Sequence, residues 1–212
     1  MSRMLYSALL LAALTVPAFA APVIDNERVT VWDVRLAPGM NAPPTPAEFD
    51  TVTVFLEGGT IRTRHADGRT TTSTRSFGDA VFTPKGSGTI DMSDHAHEVV
   101  IALKDGPAGP NPGPEGIPNA FPRAGSEKIF ENDRVVVSRF SWTPGVPVPM
   151  HHHDKDTVMA FRYDGPIRST GMDGKSEILD FRKDQIMFSK AGRTHGELLA
   201  GERQSAVMTE LK

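Results

Sequence analysis

The chain has 212 residues and a formal net charge of −3 at pH 7, from 23 lysines and arginines against 26 aspartates and glutamates. Because no lysine and arginine cluster or interleaved aromatic stripe stands out, nucleic acid is not expected as a partner. The sequence contains no cysteine, which excludes disulfides and thiolate metal ligands and leaves histidine and carboxylate as the strong ligands.

Residues 1–20 have the pattern of a secretory signal peptide. Arg3 supplies the positive charge, residues 9–14 form an apolar run, and Ala18, Phe19 and Ala20 form a small-x-small cleavage site. The apolar run is too short to span a bilayer, and no other segment approaches that length. We therefore expect a periplasmic or secreted protein with no integral membrane segment after cleavage.

The rest of the sequence contains the same pattern twice, 106 residues apart. Residues 26–39 return as residues 132–145, and the alignment of 26–92 with 132–198 needs no gap. It contains 18 identities in 67 positions, where a typical composition gives about four by chance. A register held over so long a stretch indicates an internal duplication.

Each copy is predicted to consist of short strands separated by turns. Residues 29–36 and 135–142 form equivalent first strands, and the Asp-Gly pairs at 67–68 and 173–174 are hairpin signals. No segment shows a helical period of useful length. The prediction is an all-β protein with seven or eight short strands in each copy, typical of a small barrel or jelly roll.

The segment between the copies is rich in proline and glycine. Residues 105–126 contain too many prolines for a helix or an interior strand. The predicted organisation is therefore a signal peptide at 1–20, an N-terminal barrel at 23–104, a linker at 105–126 and a C-terminal barrel at 127–212. The linker shows no binding motif.

The two copies differ at a group of histidines. On an extended strand His151 and His153 project to one face, while His152 points the other way. Two neutral imidazoles on one face typically begin a transition-metal site, and His195 on a later strand is the best third ligand. Ligands sharing one ion must bring their nitrogens to within about 3–4 Å of one another. In the first copy the equivalent positions are Thr45, Ala47 and Thr89.

At these residues the sequence resembles the cupin superfamily, whose barrels carry the motifs G-x5-H-x-H-x3–4-E-x6-G and G-x5-P-x-G-x2-H-x3-N. The first motif is matched by Gly145, His151, His153 and Gly165. Its glutamate is missing, because that position is Val158, or Thr157 in the shorter form.

The second motif is matched in part, since it keeps Gly192 and His195. Asp184 stands in place of its first glycine, Lys190 in place of its proline and Leu199 in place of its asparagine. The first copy also fits the motifs, without their ligands, through the residues Gly39, Gly59, Gly78, Pro84 and Gly86.

The resemblance covers nearly the whole chain after the signal peptide. It implies a two-domain cupin, or bicupin: two tandem double-stranded β-helix barrels, the N-terminal one degenerate. Cupin metal sites hold iron, manganese, nickel or zinc. Without the motif glutamate, this one resembles the three-histidine site of the thiol-dioxygenase branch. Asp154, Asp156 and Glu197 stay open as a substitute ligand or base.

The other histidines are not expected to hold a resident metal ion. His152 is assigned to the surface or to a supporting position beside the site. His95 and His97 have the same i, i+2 spacing but fall in a predicted exposed loop between late strands, where cupins have no site. A His-His-His run can also be a solvent-exposed turn. The aromatic residues of the second copy are predicted to be barrel core.

Three functions remain open at this point. The first is a metal-dependent, dioxygenase-like enzyme acting on a small organic substrate, with His151, His153 and His195 as ligands. The second is a non-catalytic periplasmic protein that binds a small ligand or a metal ion. The third makes both barrels structural parts of a homodimer. Metal binding is favoured over a metal-free role, because three ligands fall at motif positions; catalysis is not separated from binding.

Overall fold

The computed structural model describes residues 21–37, 42–43, 45–87, 89–93 (backbone only), 96–106 and 111–212. Its secondary structure in these residues is all β, as predicted. No helix long and apolar enough to cross a membrane is found in this part of the chain. The predicted signal peptide, residues 1–20, lies outside it.

The first half of the chain forms two antiparallel sheets from eight strands. The strands are β1 (Ile24–Asp25), β2 (Val29–Leu36), β3 (Asp50–Glu57), β4 (Gly59–His65), β5 (Thr70–Arg75), β6 (Ala80–Thr83), β7 (Thr89–Ser93) and β8 (Ala96–Leu103). One sheet has the order β1-β2-β8-β3-β6 and the other the order β5-β4-β7.

The second half also forms two antiparallel sheets, from nine strands. The strands are β9 (Ser126–Glu131), β10 (Val135–Trp142), β11 (Val148–His152), β12 (Thr157–Phe161), β13 (Gly165–Gly171), β14 (Ser176–Phe181), β15 (Ile186–Ser189), β16 (Thr194–Leu199) and β17 (Gln204–Leu211). The sheet orders are β15-β12-β17-β10-β9 and β11-β16-β13-β14. Strands β10, β13, β14 and β15 each begin 106 residues after β2, β4, β5 and β6.

The apolar core has three parts. The largest lies where the two five-stranded sheets meet and contains Val31 and Val52 from the first half with Val137 and Val158 from the second. A second cluster fills the interior of the first half, between its two sheets. A third fills the interior of the second half. Val158, at the motif glutamate position, is therefore part of the core and does not reach the histidines.

A reciprocal pair of polar contacts joins the two halves. Arg134 Nη1 donates to Asp50 Oδ2 over 2.8 Å, and Arg28 Nε lies 3.6 Å from Asp156 Oδ2. These contacts are equivalent under the 106-residue shift. They account for the repeated arginine and aspartate, because exchanging the two halves reproduces the same ion pair, as at a twofold interface.

Candidate metal centre

Two paired strands position the three predicted ligands. His151 on β11 lies opposite His195 on β16. His153 follows directly after β11, and its backbone N–H donates to the carbonyl of Arg193 over 2.8 Å. Because alternate residues of an extended chain share a face, His151 and His153 both reach His195. The prediction that His152 points away from this face is also confirmed.

The three imidazoles converge inside the second half. His151, His153 and His195 are 3%, 8% and 3% exposed, and one nitrogen from each lies within 4.8 Å of the others. His153 Nε2 and His195 Nε2 are 3.1 Å apart. The separation between ligand nitrogens, up to 4.8 Å, therefore exceeds the 3–4 Å expected around one ion by less than 1 Å.

Hydrogen bonds on the far side of two rings orient them toward one another. Pro149 O lies 2.8 Å from Nδ1 of His151, so that nitrogen carries the proton and Nε2 carries the lone pair. In His195 the Nδ1 atom lies 2.9 Å from Ser169 Oγ. Nδ1 of His153 is buried with no hydrogen-bond partner in the described structure. Hydrogen bonds like those at His151 and His195 fix the tautomer and the orientation of metal-ligating histidines.

Burial keeps these imidazoles neutral. It lowers the pKa of His153 to about 3, with nearby His151 adding a smaller effect. Burial and then the charge of Arg193 lower the pKa of His195 to about 2. Burial also lowers the pKa of His151, while its bond to Pro149 opposes the shift. Neutral imidazole is the form that binds a metal, so the site keeps its ligands available well below pH 7.

Of the three carboxylates left open by the sequence, the structure brings only Glu197 to the histidines. Glu197 follows His195 by two residues on β16, and its Oε1 lies 3.8 Å from His195 Nε2. Asp154 instead accepts from Lys155 and Asn119. Asp156 accepts from the backbone N–H of Ala191 over 2.8 Å and faces the other half.

Two donors hold the second oxygen of Glu197. Its Oε2 accepts from the indole N–H of Trp142 over 3.0 Å and from Arg123 Nη2 over 3.4 Å. The side chains of Glu197 and Arg123 are 11% and 12% exposed, which makes this a mostly buried ion pair. Oε1 is left facing the imidazoles.

Arg123 is the site residue that the sequence did not reveal. It comes from the segment predicted to be a plain linker, and its Nη1 lies 3.0 Å from His151 Nε2. Its guanidinium also packs on the rings of Phe121 and Phe140. Arginine in a proline-rich segment carries no positional signal, so only the path of the chain identifies this contact.

His152 anchors that segment to the site, and it is buried at 3% exposure. Its backbone N–H donates to Pro118 O and its carbonyl accepts from Ala120. Its ring nitrogens contact Thr194 Oγ1 over 2.7 Å and Asn111 O over 2.8 Å. His152 therefore lies beside the site and holds residues 111–123 against β11; it is not a surface residue.

The prediction of an exposed loop at His95 and His97 is wrong for His97, and His95 lies outside the described residues. His97 is 1% exposed because β8 is a central strand covered on both faces. Its Nε2 lies 2.6 Å from Asp33 Oδ1, and its Nδ1 lies 3.6 Å from Asp184 Oδ2 in the other half. The two contacts involve different nitrogens, and the contact with Asp33 is a hydrogen bond.

A cavity of about 280 Å³ adjoins the histidines. Its polar wall contains His153, His195 and Ser189, together with two arginines and two glutamates, Arg123, Arg193, Glu177 and Glu197. The apolar wall consists of Trp142, Met159, Phe161, Leu179, Phe181, Met187 and Met208. The predicted core aromatics therefore also line a binding space, which is at the small end for small-molecule sites.

The donor set fits a divalent transition metal. Three buried neutral imidazoles suit zinc, iron, nickel or manganese, and a three-nitrogen site leaves coordination positions for other groups. The positions equivalent to the ligands in the first half cannot form such a site. Thr45 and Ala47 are not strong ligands, and the side chain of Thr89 lies outside the described residues.

The fold is that of the cupins. No protein-family model matches the sequence, and no curated protein matches it. Among solved structures it is similar to oxalate decarboxylase from Bacillus subtilis, whose Mn(II) centres have been studied, at 12% identity over 87% of this chain and 69% of that chain, with a TM-score of 0.61.

A second similar structure is the cupin 2 conserved barrel domain protein from Leptotrichia buccalis. It is 15% identical over 90% of this chain and 87% of that chain, with a TM-score of 0.56. At these identities the likeness establishes the fold alone, and it agrees with the resemblance found in the motifs.

Proposed function

We propose that the protein binds one divalent transition metal through His151, His153 and His195 and uses it on a small organic substrate. The observation that carries the proposal is the convergence of three buried, neutral imidazoles at the edge of a cavity. Burial removes the hydration of all three histidines, and Nδ1 of His153 has no hydrogen-bond partner in the described structure to replace it. A shared ion would offset this cost and accounts for the convergence of the three rings.

The walls of the cavity favour a small substrate with an apolar body and a polar group. Methionine and aromatic side chains suit the body. The guanidinium groups of Arg123 and Arg193 can donate to a substrate oxygen, and each also lies near a carboxylate of the lining, Glu197 at 3.4 Å and Glu177 at 3.8 Å. Arg193 also donates to Ser169 Oγ over 3.0 Å, which ties it to the hydroxyl that supports His195.

Glu197 is the proposed proton acceptor. Trp142 and Arg123 hold its Oε2, so Oε1 is free to take a proton from a substrate group placed beside the histidines. The bound ion would supply Lewis acidity and, if redox-active, electron transfer. A non-catalytic binding protein would use the same ligands and cavity, and turnover of a small substrate separates these alternatives.

Two wider proposals accompany this site. The halves are duplicated cupin barrels, the first without a metal site; the equal strand offsets and the reciprocal arginine–aspartate contacts support this. The protein is also proposed to be exported to the periplasm or secreted, on the pattern of residues 1–20. Mass measurement of the mature N-terminus tests the second proposal.

Metal analysis of untagged protein tests the metal site. We expect about one equivalent of a transition metal, and less than about a tenth in His195→Ala. His65→Ala is the matched control, because His65 lies in the first half, and it should retain the metal. An equal, low metal content in all three proteins would contradict the proposal. Oxygen consumption with small thiols, diketones and hydroxy acids then distinguishes an enzyme from a binder.

A further inference from the structure

The first half contains a cavity at the place equivalent to the metal-side cavity. It has a volume of about 320 Å³, and seven of its eleven lining residues precede lining residues of the other cavity by 106 positions. The pairs that matter most are Thr53 with Met159, Ser73 with Leu179 and Arg75 with Phe181. The first half has thus kept the space and changed its chemistry.

At two of the equivalent positions a hydroxyl group stands in place of an apolar side chain: Thr53 in place of Met159 and Ser73 in place of Leu179. Thr53 and Thr83 are 4% and 8% exposed, so their hydroxyls lie in the wall and not at the surface. Thr63, Ser73 and Ser87 add further hydroxyls. These hydroxyls offer hydrogen bonds to a polar guest, while Val81, Phe82 and Pro84 form the apolar part of the wall.

Among the described residues of this lining, Arg75 provides the only formal charge, and Asp and Glu are absent. Its Nε is buried without a hydrogen-bond partner in the described structure. Its guanidinium carbon lies 5.4 Å from the centroid of the Phe55 ring. An unpaired buried donor is costly unless a ligand satisfies it, and a carboxylate matches guanidinium geometry.

His65 completes the polar side of the cavity. Its Nε2 lies 2.9 Å from Thr71 Oγ1, so imidazole and hydroxyl orient one another. Neither group needs a metal to take part in binding a hydroxylated molecule. This half therefore has the properties of a metal-independent binding site.

We propose that the cavity of the first half binds a small hydroxylated carboxylate, with Arg75 on the carboxylate and the threonine and serine hydroxyls on the hydroxyl groups. This site is distinct from the histidine centre and requires no metal. It assigns the first half a binding role in place of a purely structural one.

Isothermal titration with gluconate and glucuronate, with glucose as the uncharged comparison, tests this site in the full chain with a chelator present. We expect saturable binding of at least one of the acids, and binding of glucose at least about tenfold weaker, because the charge-assisted bond to Arg75 is lost. Arg75→Met should weaken binding of the acid by at least about tenfold. Arg69→Met is the matched control, since Arg69 is an exposed arginine in the turn between β4 and β5 and does not line the cavity.

Thr53→Val provides a second variant that keeps the shape and removes one hydroxyl, and it should weaken binding by about threefold or more. His195→Ala should leave binding unchanged, which separates this site from the metal centre. The proposal is overturned if neither acid binds saturably below about 10 mM. It is equally overturned if Arg69→Met causes the same loss as Arg75→Met, or if His195→Ala abolishes binding.

Discussion

Arg123 Nη1 lies 3.0 Å from His151 Nε2, the ring nitrogen that carries the lone pair. Since Pro149 accepts the Nδ1 proton of His151, that lone pair is the one available to a metal ion. The guanidinium and the ion therefore compete for a single acceptor, and a positive charge at this distance also repels a divalent cation.

Replacing Arg123 by methionine should strengthen metal binding. Methionine preserves the packing on Phe121 and Phe140 while removing the competing donor, and the expected gain in affinity is about tenfold or more. Chelator competition with Zn²⁺ measures it. Arg203→Met, an exposed arginine stacked on Tyr163, is the control and should leave affinity unchanged. Equal or weaker binding by Arg123→Met would show that the arginine supports the site.

Acid should destabilise the metal-free protein through its buried histidines. The pKa of His153 in the folded state, about 3, lies below the unfolded value of 6.5, so the unfolded chain binds more protons between these values. Stability is therefore full above pH 6.5 and falls as pH falls, by up to about 1.4 kcal/mol per pH unit for this group. Urea unfolding in EDTA at pH 7.5 and pH 5 measures the fall, which His153→Gln should reduce and His65→Gln should not.

Glu210 should give the opposite pH dependence to His153, because it should destabilise the folded protein as the pH rises. Burial raises its pKa to about 7 from 4.5, with Lys155 opposing the shift. The folded state therefore favours the protonated form, and its contribution is full below pH 4.5 and lost as pH rises to about 7. Glu210→Gln should stabilise the protein at pH 8 by on the order of 2 kcal/mol and have little effect near pH 4.

The exposed Glu131 serves as the reference for Glu210. Hydrogen bonds from Lys128 and Lys212 lower its pKa to about 2. Its contribution is present above pH 4.5 and lost as pH falls toward 2, so Glu131→Gln should weaken the fold slightly at neutral pH. Thermal unfolding of both variants at pH 4, 6 and 8 checks the two signs. A gain at pH 8 from both would contradict the assignment.

Asp184 adopts a left-handed backbone conformation with φ of 63°, at the position where the cupin motif has glycine. Its carboxylate also accepts from Arg35 over 3.2 Å. Asp184→Gly loses that ion pair but removes the steric cost of the left-handed backbone. Asp184→Ala loses the ion pair and keeps that cost. Alanine should therefore be less stable than glycine by about 1 kcal/mol, as measured by urea unfolding. Equal stability would indicate that the backbone carries no cost here.

The sequence predicted those features that follow from local pattern. The alternation in 29–36 and 135–142 predicted β2 and β10, and the motif spacing predicted the meeting of His151, His153 and His195. Both rest on short-range geometry, namely the two-residue period of a strand and the pairing of strands that a known motif implies.

What the sequence did not predict depends on the path of the chain. His97 lies in a polar stretch that resembles a loop, and its burial comes from the central position of β8 between β2 and β3. Glu197 and Asp154 are both carboxylates close in sequence to one of the three histidines. Strand pairing turns the side chain of Glu197 toward the histidines and that of Asp154 away from them. The position of Arg123 depends on the path of residues 111–123, which no sequence periodicity predicts.

The same segment limits how far the two halves can be treated as separable modules. Gly113 lies against the ring of His152, where even a methyl group would come within 2.7 Å of a ring atom, and Arg123 ends the segment on a metal ligand. Cutting or lengthening the connection would therefore alter the metal centre itself. A C-terminal half begun at residue 127 would keep all three histidines and lose Arg123, which contacts one of them, so we expect recombination of such halves to change metal affinity without changing a histidine.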